Sequence, residues 1–123
     1  MGVNSQLIIM IGSDIGYDTY DKSGGFNKFE KFDIDEDDKL NTGRMAIISD
    51  GMSGDYCWVG IPIYISGRYE YLNDLTNNKE HNEMGLYVFK EPSEEQKSEI
   101  KEFIKSKFNK DVEVNVVVFI HYT

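Results

Sequence analysis

Three short apolar runs constrain the fold of this chain more than any other feature of its sequence. They lie at residues 7–11 (LIIMI), 45–48 (MAII) and 116–120 (VVVFI). In an extended chain each run places apolar side chains on both faces, which is typical of strands buried on both sides of a sheet. The sequence therefore predicts a sheet whose central strands need cover on both faces.

A hairpin is predicted where the apolar segments 44–49 and 56–65 flank the turn DGMSGD at 50–55. Two glycines between two apolar runs are a hairpin signal. Because Pro62 has no N–H for the ladder, the second strand is expected to lie at an edge or to be bulged there. Further strands are predicted at residues 85–89 and 112–122. The last is expected to be central, because both of its faces are apolar toward its end.

One amphipathic helix is predicted over residues 93–108. Ser93 precedes Gln96 by three positions, which is the pattern of a capping box, and Asn109 is expected to end the helix. One apolar stripe beside a face of lysine and glutamate is formed by Ile100, Phe103, Ile104 and Phe108. The stripe indicates that this helix packs on one face of the sheet.

The predicted fold class is α+β, as a single domain over residues 1–123. We expect a largely antiparallel or mixed sheet of about five strands, with the C-terminal helix on one face. Residues 12–43 are predicted to be a long acidic irregular segment with at most one short element. The second face of the sheet then needs cover from this segment, from another helix or from a partner subunit. A homodimer or higher homo-oligomer is the economical solution.

The charge of the chain limits its partners. The net charge is −9, and residues 12–43 carry nine acids against four lysines. Nucleic-acid affinity comes largely from lysine and arginine that neutralise phosphates, so direct nucleic-acid binding is disfavoured and basic protein surfaces are favoured. Cys57 is the single cysteine, and neither a signal peptide nor a membrane-spanning run is visible, so a cytoplasmic location is expected.

No motif for catalysis, a cofactor or a metal is specific. Cys57 with His81 and His121 is the available set of thiol and imidazole groups, but a cysteine within a strand is more commonly buried and inert. The acid run from Asp33 fails the calcium-loop register, since Arg44 stands where a bidentate glutamate is needed. The turns at 12–16 and 50–55 are interpreted as ordinary turns whose aspartates bind their own backbone.

Two hypotheses for the function follow. The first is a non-enzymatic acidic protein that occupies a basic, nucleic-acid-handling partner such as a toxin, a nuclease or a host-defence effector, in a phage-like or mobile-element setting. Its predicted partner-binding residues are Asp33, Asp35, Asp37, Asp38, Phe29 and Phe32. The second is a protein that binds a nucleotide-like small molecule in a pocket at a subunit interface. Its predicted ligand-binding residues are Arg44, Arg68, Tyr69 and Tyr71.

Overall fold

The computed structural model describes residues 5–33, 44–65, 79–81, 87–89 and 91–122, and it shows a small α+β domain. The first half contains β1 (Ser5–Asp14), α1 (Tyr17–Lys22), α2 (Gly25–Phe29), a 3-10 turn (Glu30–Phe32), β2 (Ala46–Ser49) and β3 (Cys57–Ile65). The second half contains β4 (Lys79–His81), β5 (Tyr87–Phe89), α3 (Glu94–Phe108) and β6 (Asn115–Tyr122).

Four of the strands form one antiparallel sheet in the order β2-β3-β1-β6, and β4 pairs with β5 in a separate two-stranded sheet. The prediction of one sheet of about five strands is therefore not matched. The last strand is also placed differently from the prediction, because β6 lies at an edge of the four-stranded sheet. An apolar pattern on both faces indicated a central strand, but local pattern carries no information on the order of strands.

The hairpin prediction is confirmed, since β2 and β3 pair antiparallel around the 50–55 turn. Ile9 pairs with Tyr64 while Met10 pairs with Pro62, so Ile63 has no partner on β1 and forms a bulge. The bulge expected at Pro62 is therefore observed beside it. Although β3 as a whole lies between β2 and β1, β2 pairs with it only as far as Gly60, so among the described strands Pro62 has a neighbour on the β1 side alone and its missing N–H is tolerated there.

The C-terminal helix follows its sequence signals closely. The Ser93 hydroxyl accepts the Gln96 backbone N–H at 3.1 Å, and the Gln96 side chain accepts the Ser93 N–H at 3.0 Å. Asn109 ends α3 in the left-handed conformation, at φ 53°. Three members of the predicted stripe are buried, namely Ile100, Ile104 and Phe108, whereas Phe103 is half-buried.

The segment predicted to be irregular contains α1, α2 and the 3-10 turn, so the expectation of a single helix is corrected. Both helices begin at a glycine with positive φ and without a side-chain cap. They bring the rings of Tyr20 and Phe29 into the core, where Phe29 lies 4.8 Å from Phe108 of α3. These elements and α3 therefore share one face of the sheet, which we call the helix face.

The opposite face is partly covered by the sheet's own aromatic side chains, and we call it the curled face. Its core consists of Ile8, Met10, Ala46, Ile48 and Ile65. Trp58 of β3 stacks on Phe119 of β6 at 4.8 Å, although β1 lies between these strands. In the sheet register Trp58 is paired with Asp14 of β1, and Phe119 is paired with Ile8 of β1. These two β1 residues are six positions apart, which is about 20 Å along a strand. A flat sheet could not bring the two rings together, so the sheet is strongly curled.

A row of small residues crosses the curled face where the strands come closest. The row runs Ala46, Gly60, Gly12 and Asn115 in adjacent strands. A Cβ atom added to Gly60 would lie 2.6 Å from Gly12 Cα and closer still to the carbonyl oxygen of Ile11. The two glycines therefore leave the room that the curl needs.

Candidate functional site

The acid-rich part of the chain begins and ends at the edge strand β2. Asp33 forms a parallel bridge with Ile47, and its N–H donates to the Glu30 carbonyl oxygen at 3.0 Å. The described chain resumes at Arg44, two residues before β2 begins. We call residues 34–43 the acidic segment; its own course lies outside the described residues. Its two ends are thus fixed at the same edge of the sheet.

The structure places three of the predicted partner-binding residues inside the fold. Phe29 is 2 % exposed and Asp33 is 6 % exposed, so neither side chain is available to a partner. Phe32 is half-buried and packs edge-on against Phe103, with ring centroids 5.1 Å apart. The exposed aromatic ring of this region is instead Phe26 in α2, which is 41 % exposed. The other predicted residues, Asp35, Asp37 and Asp38, lie outside the described residues.

Of the residues predicted to bind a small molecule, only Arg44 falls within the described part of the chain. Its side chain is exposed just before β2. Arg68, Tyr69 and Tyr71 lie outside the described residues. The nucleotide-binding hypothesis therefore stays a prediction.

Cys57 and His121 lie on opposite faces of the sheet. Cys57 is fully buried on the helix face, and burial, together with the charges of Asp14 and Asp33, raises the pKa of its thiol. A thiol with a raised pKa is a poor nucleophile, because the thiolate is the reactive form. His81 belongs to β4, where side chains lie outside the description. The structure thus does not bring the predicted thiol and imidazole of Cys57 and His121 together.

Asp50 organises the turn between β2 and β3. One carboxylate oxygen accepts the N–H groups of Met52 at 3.1 Å and Ser53 at 2.9 Å, and the other accepts the Asp55 N–H at 2.9 Å. Burial alone would raise the pKa of the Asp50 carboxyl, but these hydrogen bonds and the nearby His121 outweigh burial and lower it. The interpretation of this turn as an ordinary one is confirmed.

The first glycine turn behaves in the same way. The Asp14 carboxylate accepts the Gly16 N–H at 2.9 Å and the Cys57 N–H at 3.0 Å. Both aspartates therefore serve the backbone, as expected from their turn sequences. Neither turn supplies an argument for anion binding.

A partly buried pair of polar side chains, which the sequence did not reveal, joins β6 to the residue just before β3. The Tyr56 hydroxyl lies 2.7 Å from Nδ1 of His121, whose side chain is 1 % exposed. The same hydroxyl accepts the Tyr122 N–H at 3.4 Å. Tyr56 and His121 are 65 positions apart, so no local pattern could have linked them. Their contact holds the two sides of the curled face together.

Tyr20 is the other buried polar group of note. Burial raises the pKa of its phenol to about 12, and the Asp33 charge adds to the rise. The Ser49 side chain opposes the rise, but within the described residues the Tyr20 hydroxyl makes no hydrogen bond of good geometry. An unsatisfied buried hydroxyl costs stability, so the ring is held for its packing against Phe29.

A stripe of exposed apolar side chains runs along β6 on the helix face. It consists of Val116, Val118, Ile120 and Tyr122, with Leu7 of β1 opposite Ile120. The helix α3 packs on β1 and β3, so it leaves this β6 stripe open. The sequence predicted that these positions would be buried. An apolar patch on a surface marks an interaction site more often than a scattered single residue does.

Two further observations concern metal binding and membrane-spanning helices, and they apply only to the described residues. There, no cluster of three or more His, Cys, Asp or Glu side chains is arranged to hold a metal ion, and no helix is long and apolar enough to cross a membrane. Comparison with known proteins gave no matching family model, curated protein or solved structure. The function is therefore argued from the charge and geometry of the chain itself.

Proposed function

We propose that this chain is a non-enzymatic acidic binding protein that occupies a basic, nucleic-acid-handling site on a partner protein. The observation that carries the proposal is the attachment of the acidic segment to β2 at both ends, through Asp33 and Arg44. Carboxylates in a segment whose two flanking residues are anchored beside one strand would offer negative charges in place of the phosphates that the partner otherwise holds. Toxins, nucleases and host-defence effectors are the partner classes with such sites.

The distribution of charge supports this role for the acidic segment. Residues 33–38 contain five acids and no base, against a net charge of −9 for the whole chain. Elsewhere on the helices the charges balance: α3 carries four glutamates and four lysines, and residues 17–32 carry three acids and three lysines. Residues 33–38 therefore supply five of the nine net negative charges, and the rest of the chain supplies the other four.

Fixed ends also favour binding by this segment. Closing a loop costs conformational entropy, and here the fold already meets that cost, because both ends are held at β2. Phe26 adds an exposed aromatic ring on the α2 surface that precedes the acid run, and aromatic side chains are enriched among residues that dominate binding energy. Charge would steer the encounter, and apolar contact would prolong it.

The test compares two variants that remove the same charge. The segment variant carries Asp35→Asn, Glu36→Gln, Asp37→Asn and Asp38→Asn, and leaves the buried Asp33 intact. The control variant carries Glu94→Gln, Glu95→Gln, Glu99→Gln and Glu102→Gln, all at exposed positions of α3. Both lose four negative charges, so only the location of the charge differs. Equal unfolding curves would establish that both variants remain folded.

The partner is isolated on immobilised protein at low salt and released by a salt gradient. Two properties are required of it: it must be basic, and this protein must displace a fluorescent oligonucleotide from it. We expect the segment variant to associate about tenfold more slowly at low salt with a shallower salt dependence, and the control variant to match the parent. Equal association rates for the segment variant and the parent would contradict the proposal.

A further inference from the structure

We propose that two copies of this chain pair antiparallel through the outer edge of β6, so that their four-stranded sheets join into one continuous sheet. The contact surface is the β6 stripe and the backbone edge beside it. The inference does not depend on the proposed function, because the acidic segment begins at β2, the opposite edge of the sheet.

The side chains of the β6 stripe are open to solvent. Val118 is 62 % exposed, and Val116, Ile120 and Tyr122 are 42 %, 43 % and 49 % exposed. Leu7, which adjoins Ile120 on β1, is 38 % exposed. Five such side chains make a contiguous apolar surface on the order of a few hundred Å², a size that in soluble proteins usually marks a contact site.

The outer backbone edge of β6 is also suited to pairing with another strand. Proteins protect edge strands with lysine, proline, bulges or short length, because an open edge recruits other strands. The strand β6 has eight residues, Asn115–Tyr122, without a charge, a proline or a glycine, and it pairs with β1 without a bulge. Among the described strands nothing pairs with its other edge. In the described part of the chain the edge therefore shows none of the usual features that prevent pairing.

The β6 stripe is self-complementary, which favours a second copy as the occupant. A two-fold axis perpendicular to the sheet keeps the helix faces of both copies on one side. With the axis at Phe119, Val118 lies opposite the partner subunit's Ile120, and Val116 lies opposite the partner subunit's Tyr122. The four exposed apolar positions of β6 are then all paired on one face, as the two-residue period of a strand requires.

Charge is compatible with the same occupant. Two copies that each carry −9 repel each other, and because β6 is uncharged this repulsion is smallest at the contact itself. A basic partner would find no carboxylate along this strand. The Tyr122 N–H already donates to the Tyr56 hydroxyl, so the new ladder would centre on Val118 to Ile120, and Val116 and Tyr122 would contribute side-chain contact. A contact this small falls short of the roughly 800 Å² per partner of a standard interface, so the dimer should dissociate at micromolar concentrations.

Sedimentation equilibrium between about 1 and 500 μM tests the contact, a range that spans weak dimerisation. We expect the parent to shift from 14.2 kDa toward twice that mass, 28.4 kDa. Val118→Lys places a charge at the centre of the stripe and should remain at 14.2 kDa. Met52→Lys is the matched control, because Met52 is 57 % exposed in the turn before β3 and should dimerise like the parent. A parent that stays monomeric, or a Val118→Lys variant that dimerises, would overturn the proposal.

Disulfide trapping then tests the strand pairing itself. Val118→Cys and Ile120→Cys are made as separate variants; buried Cys57 does not compete for oxidation. An equimolar mixture should cross-link under mild oxidation, and each variant alone should cross-link far less, since position 118 faces position 120 across the axis. Cross-linking of Val118→Cys alone would refute the axis at Phe119. A dimer that cross-links in no combination would place the contact elsewhere and refute the pairing.

Discussion

Replacing Gly60 by alanine tests whether the small-residue row is what allows the sheet to curl. The added Cβ would lie 2.6 Å from Gly12 Cα, whereas ordinary contacts begin near 3.4 Å, so β1 and β3 would have to separate by about 0.8 Å for this contact alone. The approach to the Ile11 carbonyl oxygen is tighter still. These neighbours are backbone atoms, which cannot rotate away as a flexible side chain would.

The expected cost follows from two effects. Overpacking a close-packed site costs about 1 to 3 kcal/mol, and spreading the strands at the Gly12–Gly60 pair weakens roughly two ladder hydrogen bonds at about 1 kcal/mol each. The sum is about 3 to 5 kcal/mol, a large part of the 5 to 15 kcal/mol that typically separates folded from unfolded domains. With an m-value near 2 kcal/mol/M, the urea midpoint should fall by about 2 M.

Trp58 provides the assay, because it is the single tryptophan and stacks on Phe119 across the curled face. Its fluorescence reports both unfolding and any loss of the curl in the native state. Gly51→Ala is the matched control: nothing lies within 4 Å of an added Cβ there, and φ is not positive, so its midpoint should be unchanged or slightly higher. A Gly60→Ala midpoint within about 0.5 M of the parent, or an equal loss in the control, would refute the reasoning.

Two further predictions concern α3 and the Asp50 turn. Ile104→Ala should lower the free energy of unfolding by about 2 to 5 kcal/mol, because Ile104 is fully buried. Lys101→Ala, on the exposed side of α3, should change the free energy of unfolding by less than about 0.5 kcal/mol. Equal effects of the two substitutions in urea titrations would contradict the orientation of α3. Asp50→Asn should cost about 1 to 3 kcal/mol at pH 7, because an amide cannot accept hydrogen bonds at both ends. Folding lowers the pKa of Asp50 below 3.8, so its charge stabilises the parent above about pH 4 and this contribution is lost as the pH falls further. The stability difference between parent and Asp50→Asn should therefore narrow on acidification, and a constant difference from pH 7 to pH 3 would contradict this.

The sequence predicted best those elements whose signals are local. The capping box of Ser93 and Gln96, the stop at Asn109 and the turn around Asp50 all depend on residues within a few positions of one another. Hydrogen bonds of this range form wherever the chain carries the right side chains. The bulge beside Pro62 also has a local cause, because proline lacks a backbone N–H wherever it stands in the chain.

What could not be predicted depends on contacts between distant residues. The helices α1 and α2 have six and five residues, too few to be stable without packing. Tyr20 of α1 packs on Phe29 of α2, and Phe29 packs on Phe108 of α3, which is distant in the sequence. The edge position of β6 depends on strand order. Phe29 and Asp33 were predicted at the surface because their neighbours are charged, yet both are buried at contacts with α3 and β2. The charge of a segment indicated that the segment as a whole faces solvent, but it did not indicate the exposure of each residue within it.

The two edges of the four-stranded sheet differ in a way that connects both proposals. At β2 the edge is met by Asp33, which forms a parallel bridge with Ile47, so part of that edge is already occupied. At β6 the edge is uncharged and its stripe is open. Pairing through β6 would give the strand order β2-β3-β1-β6 and its inverse, with both β2 edges outermost. A dimer would then carry one acidic segment at each end of a single sheet. A partner with two basic sites at that spacing would bind the dimer more tightly than either protomer alone, by raising the local concentration of the second segment.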